Sequence, residues 1–166
     1  MNLLLISVST VLVGILTEEG FFRGWLWASL ERRLTGKAKV LMWTSLCFAL
    51  WHISAVVLKT GFDLPLARVP LFIVNVAVIG GIWGCLREMS QSIIVSSVSH
   101  GIWNGFAYVL FGYGTKAGAL GIKNSELYGP ETGLLGLVLN VAFLIILLGS
   151  RRGQSHLSPE KRELFN

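Results

Sequence analysis

Glu18, Glu19 and Arg23, then His52, then His100 and Asn104 are the residues of this chain whose types could do chemistry together. Each lies in an otherwise apolar stretch, where an ionisable group is costly and needs a partner or a purpose. Carboxylates beside imidazoles can activate water, relay a proton or hold a cation, and an amide can donate to a developing oxyanion. Glu19 and Arg23 are spaced to pair along one helix face, acidic residue first. The adjacent Glu18 points about 100° away around the helix, so it is left needing another partner. Phe48-x-x-x-His52 sets an aromatic one turn before a histidine, and His100-x-x-x-Asn104 puts an imidazole and an amide on one face.

The elements that must position these groups are membrane helices. The chain has 166 residues, of which 53% are apolar and 14% charged, with a mean hydropathy of +0.66. Soluble domains carry roughly 25% charged residues. The apolar residues come in blocks rather than one-faced stripes, and blocks of about 20 read as spans. Five blocks can be drawn, at 3–27, 40–58, 70–86, 92–111 and 133–149. Only helices or closed barrels satisfy the backbone in a bilayer, and blocks this long exclude barrel strands. The expected fold is all-α: a polytopic bundle of about five transmembrane helices with the polar groups inside. Residues 1–150 form the core and 151–166 a polar tail, in which His156 has no partner pattern.

The formal charge of +5 could suggest nucleic acid or an anionic surface. The basic residues instead flank the apolar blocks, as topology signals do, without interleaved stacking aromatics. No nucleic-acid partner is expected. Arg32, Arg33, Lys37, Lys39, Arg87, Arg151, Arg152, Lys161 and Arg162 fall on one side of the bundle. Lys59, Arg68, Lys116 and Lys123 fall on the other. The excess places the first side in the cytoplasm, with the N-terminus outside and the tail inside. Cys47 and Cys85 lie inside apolar blocks and read as small buried hydrophobes. The first block does not read as a signal peptide, since no basic region precedes it and it runs into charges instead of a cleavage site.

Depth tests whether the polar groups can meet. From the cytoplasmic helix ends, Glu18 lies roughly 13 Å in, His52 about 18–20 Å and His100 about 12–14 Å, with Asn104 one 5.4 Å turn further. Within a turn, all four fall in one layer of the bilayer. Taken singly, each group has a plainer role. An intramembrane His or Asn is often a helix–helix hydrogen bond, the only role assigned to Asn75 and Asn140. Gly80-Gly81-x-x-Gly84 reads as close helix packing, and Phe48 alone as packing. The matched depth on three helices favours a functional site. The connection from Gly112 to Thr132 reads as a flexible loop or as a lid or partly re-entrant segment.

In these motifs the sequence resembles the CPBP family of intramembrane proteases, named for CAAX proteases and bacteriocin-processing enzymes, also described as Abi or CAAX prenyl endopeptidase-like. E-E-x-x-x-R stands as Glu18-Glu19-Gly20-Phe21-Phe22-Arg23, F-x-x-x-H as Phe48 to His52, and H-x-x-x-N as His100 to Asn104, in the family's order. The resemblance implies an intramembrane endopeptidase in which Glu18 activates water and His52 helps hold it. His100 and Asn104 would polarise the scissile carbonyl, while Glu19, Arg23 and Phe48 support the site. It implies a membrane-embedded or lipidated substrate, such as a prenylated C-terminal tail or a bacteriocin-type peptide, met at the lipid bilayer. Members have been described as both metal- and glutamate-dependent. Glu18, His52 and His100 would be the ligands if a zinc ion were bound, although the H-E-x-x-H helix of zinc peptidases is absent. The balance leans toward a metal-free mechanism. Many members carry further helices before the first motif, so a short member, a truncated chain, or a core assembling as a homo-oligomer or with a partner subunit all remain open. The alternative function is a non-enzymatic transport, ion-relay or immunity protein using the same buried Glu and His cluster. Transporters typically show internal repeats, and none is evident.

Overall fold

A computed structural model describes residues 2–58, 64–113 and 116–155. The first apolar block, expected as one span, is helical but in three pieces: α1 (Leu3–Leu16), a π-helical stretch (Gly20–Leu26) and α2 (Trp27–Glu31). The interruption sits at Thr17, where φ is −115° and ψ −86° and the hydroxyl bonds back to the Val13 carbonyl at 2.7 Å. Next come α3 (Lys37–Val57), a 3₁₀ turn (Leu66–Arg68), α4 (Val69–Ser90) and α5 (Ile93–Phe106), which widens into a π-helical stretch (Ala107–Phe111). A two-stranded ladder of two residues per strand, Gly112–Tyr113 with Lys116–Ala117, leads to a short α6 (Ser125–Tyr128) and then to α7 (Leu134–Ser155).

Four of these helical runs are long and apolar enough to cross a membrane: Lys37–Val57, Leu66–Ser90, Ile93–Phe111 and Leu134–Arg151. The 22 residues of α4 extend about 33 Å, close to the thickness of a hydrocarbon core. The protein is thus an all-α integral membrane bundle, with a composite first helix packed along α5. Pro70 sits in the first turn of α4, where its missing N–H costs nothing. Gln91, in the left-handed region at φ 54°, and Ser92, whose hydroxyl caps Ile94, turn the chain sharply from α4 into an antiparallel α5.

Helix ends run past the expected boundaries. α3 starts at Lys37 rather than Val40, and α7 continues through Arg151 to Ser155, so the polar tail begins as helix. An ion cluster lies near these ends. Buried Glu88, near the end of α4, receives Arg151 Nε at 3.0 Å and lies 3.7 Å from Lys37 Nζ, tying three helix ends together. His156, Lys161 and Arg162 lie outside the described residues, as does Lys59.

Lipid is as apolar as leucine, so burial alone does little to hold helices together in a bilayer, and close backbone approach must help. The glycines supply it. A Cβ on Gly80 would stand 3.1 Å from the Phe48 ring and one on Gly84 2.4 Å from Leu41, so α3 lies tight on α4 as the Gly80-Gly81-x-x-Gly84 pattern suggests. Gly101 and Gly105 serve α5 in the same way: a Cβ would meet Val11 at 2.3 Å and the Ser7 hydroxyl at 2.1 Å. Cys47 and Cys85 are free and packed within the bundle.

Candidate active site

The site begins at the break in the first helix. A π-helical stretch widens the turn by one residue, and such turns recur where side chains must be re-aimed. Here it follows directly on Glu18 and Glu19. Glu19 is fully buried, and its Oε1 accepts from Arg23 Nη1 at 3.0 Å, the pairing that the spacing suggested. Arg23, also fully buried, donates through Nη2 to the Gly80 carbonyl at 2.9 Å. Its guanidinium lies 4.2 Å from the centre of the Phe48 ring. A buried charge pair is tolerable when its remaining donors find acceptors, and the Gly80 carbonyl is one.

His100 lies between the two glutamates. Its Nδ1 is 3.1 Å from Glu19 Oε1, and its Nε2 is 3.9 Å from Glu18 Oε2. The first contact assigns a tautomer: facing a carboxylate, Nδ1 carries the hydrogen and donates it. Glu18 is thereby partnered by a histidine on another helix, as its need for a partner implied. Glu19 does more than steady its own helix, because it also orients His100. The Glu18 Oε2 atom, though buried, makes no hydrogen bond among the described residues.

Aromatic rings wall the site. Trp83 stacks on His100 with centroids 5.6 Å apart and planes 18° from parallel. Phe48 lies 4.5 Å from His52 and 6.1 Å from His100, so it forms the partition between the two imidazoles while carrying Arg23 on its face. His52 Nδ1 is 2.8 Å from the Phe48 carbonyl, so that nitrogen donates and Nε2 keeps its lone pair. Glu18, Glu19, Arg23, Phe48, His52 and His100 therefore form one connected group. Asn104 is buried one turn along α5 from His100, and its side chain makes no hydrogen bond among the described residues. No three His, Cys, Asp or Glu side chains among the described residues converge closely enough to hold a metal ion. Glu18, His52 and His100 do not form such a group in this arrangement.

Two features lie beyond the sequence motifs. The turn ahead of α7 is tied to two helices: Asn75 Nδ2 donates to the carbonyls of Pro130 (3.0 Å) and Glu131 (2.9 Å), and Asn140 Nδ2 to Asn75 Oδ1 (2.9 Å) and the Pro130 carbonyl (3.1 Å). Asn75 and Asn140 do bridge two helices, as expected, but they also pin this turn. The second feature is Glu131 itself, whose Oε1 accepts from Trp103 Nε1 at 3.3 Å. Burial pushes its carboxyl above the ordinary range, with Glu18 adding to the push and His100 and the Trp103 N–H opposing it. The one sequence signal was a Gly-Pro-Glu turn abutting an apolar span, which is ordinary loop composition.

No curated protein and no solved structure matches the chain. The model of the type II CAAX prenyl endopeptidase Rce1-like family does match, over residues 1–106, a stretch that carries the Glu18–Arg23, Phe48–His52 and His100–Asn104 motifs and all of α1 to α5. With the fold, the membrane-spanning helices and the buried Glu and His cluster in agreement with that match, the chain belongs to the Rce1-like family, whose members are CAAX-type intramembrane endopeptidases acting on membrane-associated peptides.

Proposed function

We infer that this protein hydrolyses a peptide bond near the C-terminus of a lipidated or membrane-embedded substrate, using Glu18 to activate water. The observation that carries the reading is the approach of Glu18 Oε2 to His100 Nε2, with His100 held from its other side by the buried Glu19–Arg23 pair. A gap of 3.9 Å is too long for a direct hydrogen bond but suits one water that donates to Glu18 Oε2 and accepts from the Nε2–H of a doubly protonated His100, each at about 2.8 Å. Glu18 takes a proton from that water as its oxygen adds to the scissile carbonyl carbon. His52, whose Nε2 lone pair is free, accepts a second hydrogen bond from the water and holds it in place. Negative charge then grows on the carbonyl oxygen, where the uncommitted amide of Asn104 can donate. His100 can donate there through Nε2 when the ring carries both protons, since its Nδ1–H is committed to Glu19. Collapse breaks the C–N bond, and the proton held by Glu18 passes to the departing amine.

The chemistry needs no metal in this arrangement. The excess of Lys and Arg flanking α2, α3 and α7 supports a cytoplasmic C-terminus, so substrate would reach the site from the cytoplasmic leaflet. The test is cleavage of a quenched-fluorophore peptide bearing a prenylated cysteine, by wild type and Glu18→Gln in detergent or nanodiscs. Glu18→Gln should lose cleavage by roughly 10²–10⁴-fold, and a divalent-metal chelator should leave wild-type cleavage unchanged. Equal rates for wild type and variant would overturn the base assignment, and loss of activity with chelator would overturn the metal-free reaction.

A further inference from the structure

The turn around Pro130 brings a third carboxyl, Glu131, close enough to the site for the charges of His100 and Glu18 to bear on it. Its backbone is fixed independently of its side chains, because Asn75 and Asn140 hold the Pro130 and Glu131 carbonyls. Gly136 lets the turn fold back on the start of α7: a Cβ there would lie 2.4 Å from the Gly129 carbonyl oxygen and 2.5 Å from that of Pro130. The Glu131 side chain is thus presented from a rigid base. Among the described residues its one hydrogen bond comes from the Trp103 indole N–H. Trp103 leans edge-on against Trp83, with centroids 6.4 Å apart and planes at 70°, and Trp83 stacks on His100.

An indole has two side-chain torsions, and a hydrogen bond at its far end fixes both. We propose that Glu131 is a positioning residue for His100, acting through the Trp103 and Trp83 rings rather than by touching substrate. A site held within about 0.5 Å of its productive geometry needs such supports, because a small displacement of a reacting group costs rate steeply. The role rests on the reading of His100 as a group that acts on the scissile carbonyl. It adds to that reading a residue from beyond the 1–106 family match. The hydrogen-bond acceptor carries the role and the charge does not, so glutamine should serve and alanine should not.

The experiment labels the six tryptophans with 5-fluorotryptophan and records fluorine spectra of the full chain in nanodiscs, for wild type, Glu131→Ala and Glu131→Gln, with the Trp103 and Trp83 signals assigned by single Trp→Phe variants. In Glu131→Ala both signals should shift, while those of the lipid-facing Trp25 and Trp43 stay in place; Glu131→Gln should restore the wild-type positions. In the peptide assay, Glu131→Ala should lower kcat by about tenfold with KM within about twofold, Glu131→Gln should match wild type, and Trp103→Phe combined with Glu131→Ala should be no worse than the poorer single variant. A Trp83 signal that ignores Glu131→Ala, or a Glu131→Gln as impaired as Glu131→Ala, overturns the proposal. The spectra decide it whether or not peptide is cleaved, whereas failure of the proteolytic reading shows separately as an inactive wild type.

Discussion

Two adjacent glutamates separate at the level of single residues into different tasks. Glu18 is a third exposed and faces His100 across 3.9 Å, while Glu19 is wholly buried and bonded to both Arg23 and His100. Neutralising Glu19 leaves Arg23 with an unpaired charge inside the bundle, and breaking such a buried pair costs about 3–5 kcal/mol. Glu19→Gln should therefore lower the melting temperature in detergent clearly, and Glu18→Gln should not, although Glu18→Gln loses the more activity per folded molecule. Thermal unfolding followed by tryptophan fluorescence, beside the cleavage assay, checks this crossed pattern. Glu131 makes a second prediction. Its carboxyl is raised by burial, so the folded state holds the proton more tightly than the unfolded chain does. Its contribution to stability is full below the unfolded pKa and is lost as pH rises through the higher folded value. Glu131→Gln mimics the protonated form, so its stability advantage over wild type should be small near pH 4 and grow toward pH 8, as read from melting curves across that range.

The elements that set the site are irregular where they carry it. A regular helix would turn Glu18 and Glu19 about 100° apart, yet both reach the same imidazole, one at each ring nitrogen. The break at Thr17 and the π-helical turn at Gly20–Leu26 occur at this point in the chain. The α1–α5 contact matters as much, because it lies directly beside His100. A Cβ on Gly101 would come within 2.3 Å of Val11 and 2.8 Å of the Ser7 carbonyl oxygen, and backbone cannot yield as a flexible side chain can. Gly101→Ala should cost about 1–3 kcal/mol and displace α1. Gly14→Ala, on α1 with nothing within 4 Å of its Cβ, should be neutral or stabilising by up to about 1 kcal/mol through helix propensity. Melting temperatures of the two variants provide the comparison.

Across the whole molecule, two polar knots hold the bundle at opposite ends. Glu88 gathers Lys37 and Arg151 where α3 begins and α4 and α7 end. At the other end Asn75 and Asn140 join α4 to α7 and pin the turn that carries Glu131. Asn140→Leu removes its bonds to Asn75 and Pro130, and interhelical hydrogen bonds in membranes are worth about 0.6 kcal/mol each and up to about 1.7. The fold should survive this change, while backbone amides of residues 129–133 exchange hydrogen faster than in wild type. Unchanged protection there would show that the turn is held by other contacts.

The sequence by itself determined the class of this protein and most of the candidate site. Blocks of about 20 apolar residues leave a membrane-inserted backbone few options besides helix, and an ionisable group within such a block must find a partner. Glu18, Glu19, Arg23, His52, His100 and Asn104 were therefore legible, as was the pairing of Glu19 with Arg23, because i to i+4 neighbours follow from helix geometry alone. What only the tertiary structure decided were contacts across helices. Glu19 bonding His100, the Gly80 carbonyl capping Arg23, Trp83 stacking on His100 and Glu131 reaching Trp103 join residues up to 81 positions apart. Such contacts depend on how each helix is rotated and how deep a loop tucks in. Neither leaves a periodic trace in a lipid-facing bundle, where the outward faces are as apolar as the inward ones.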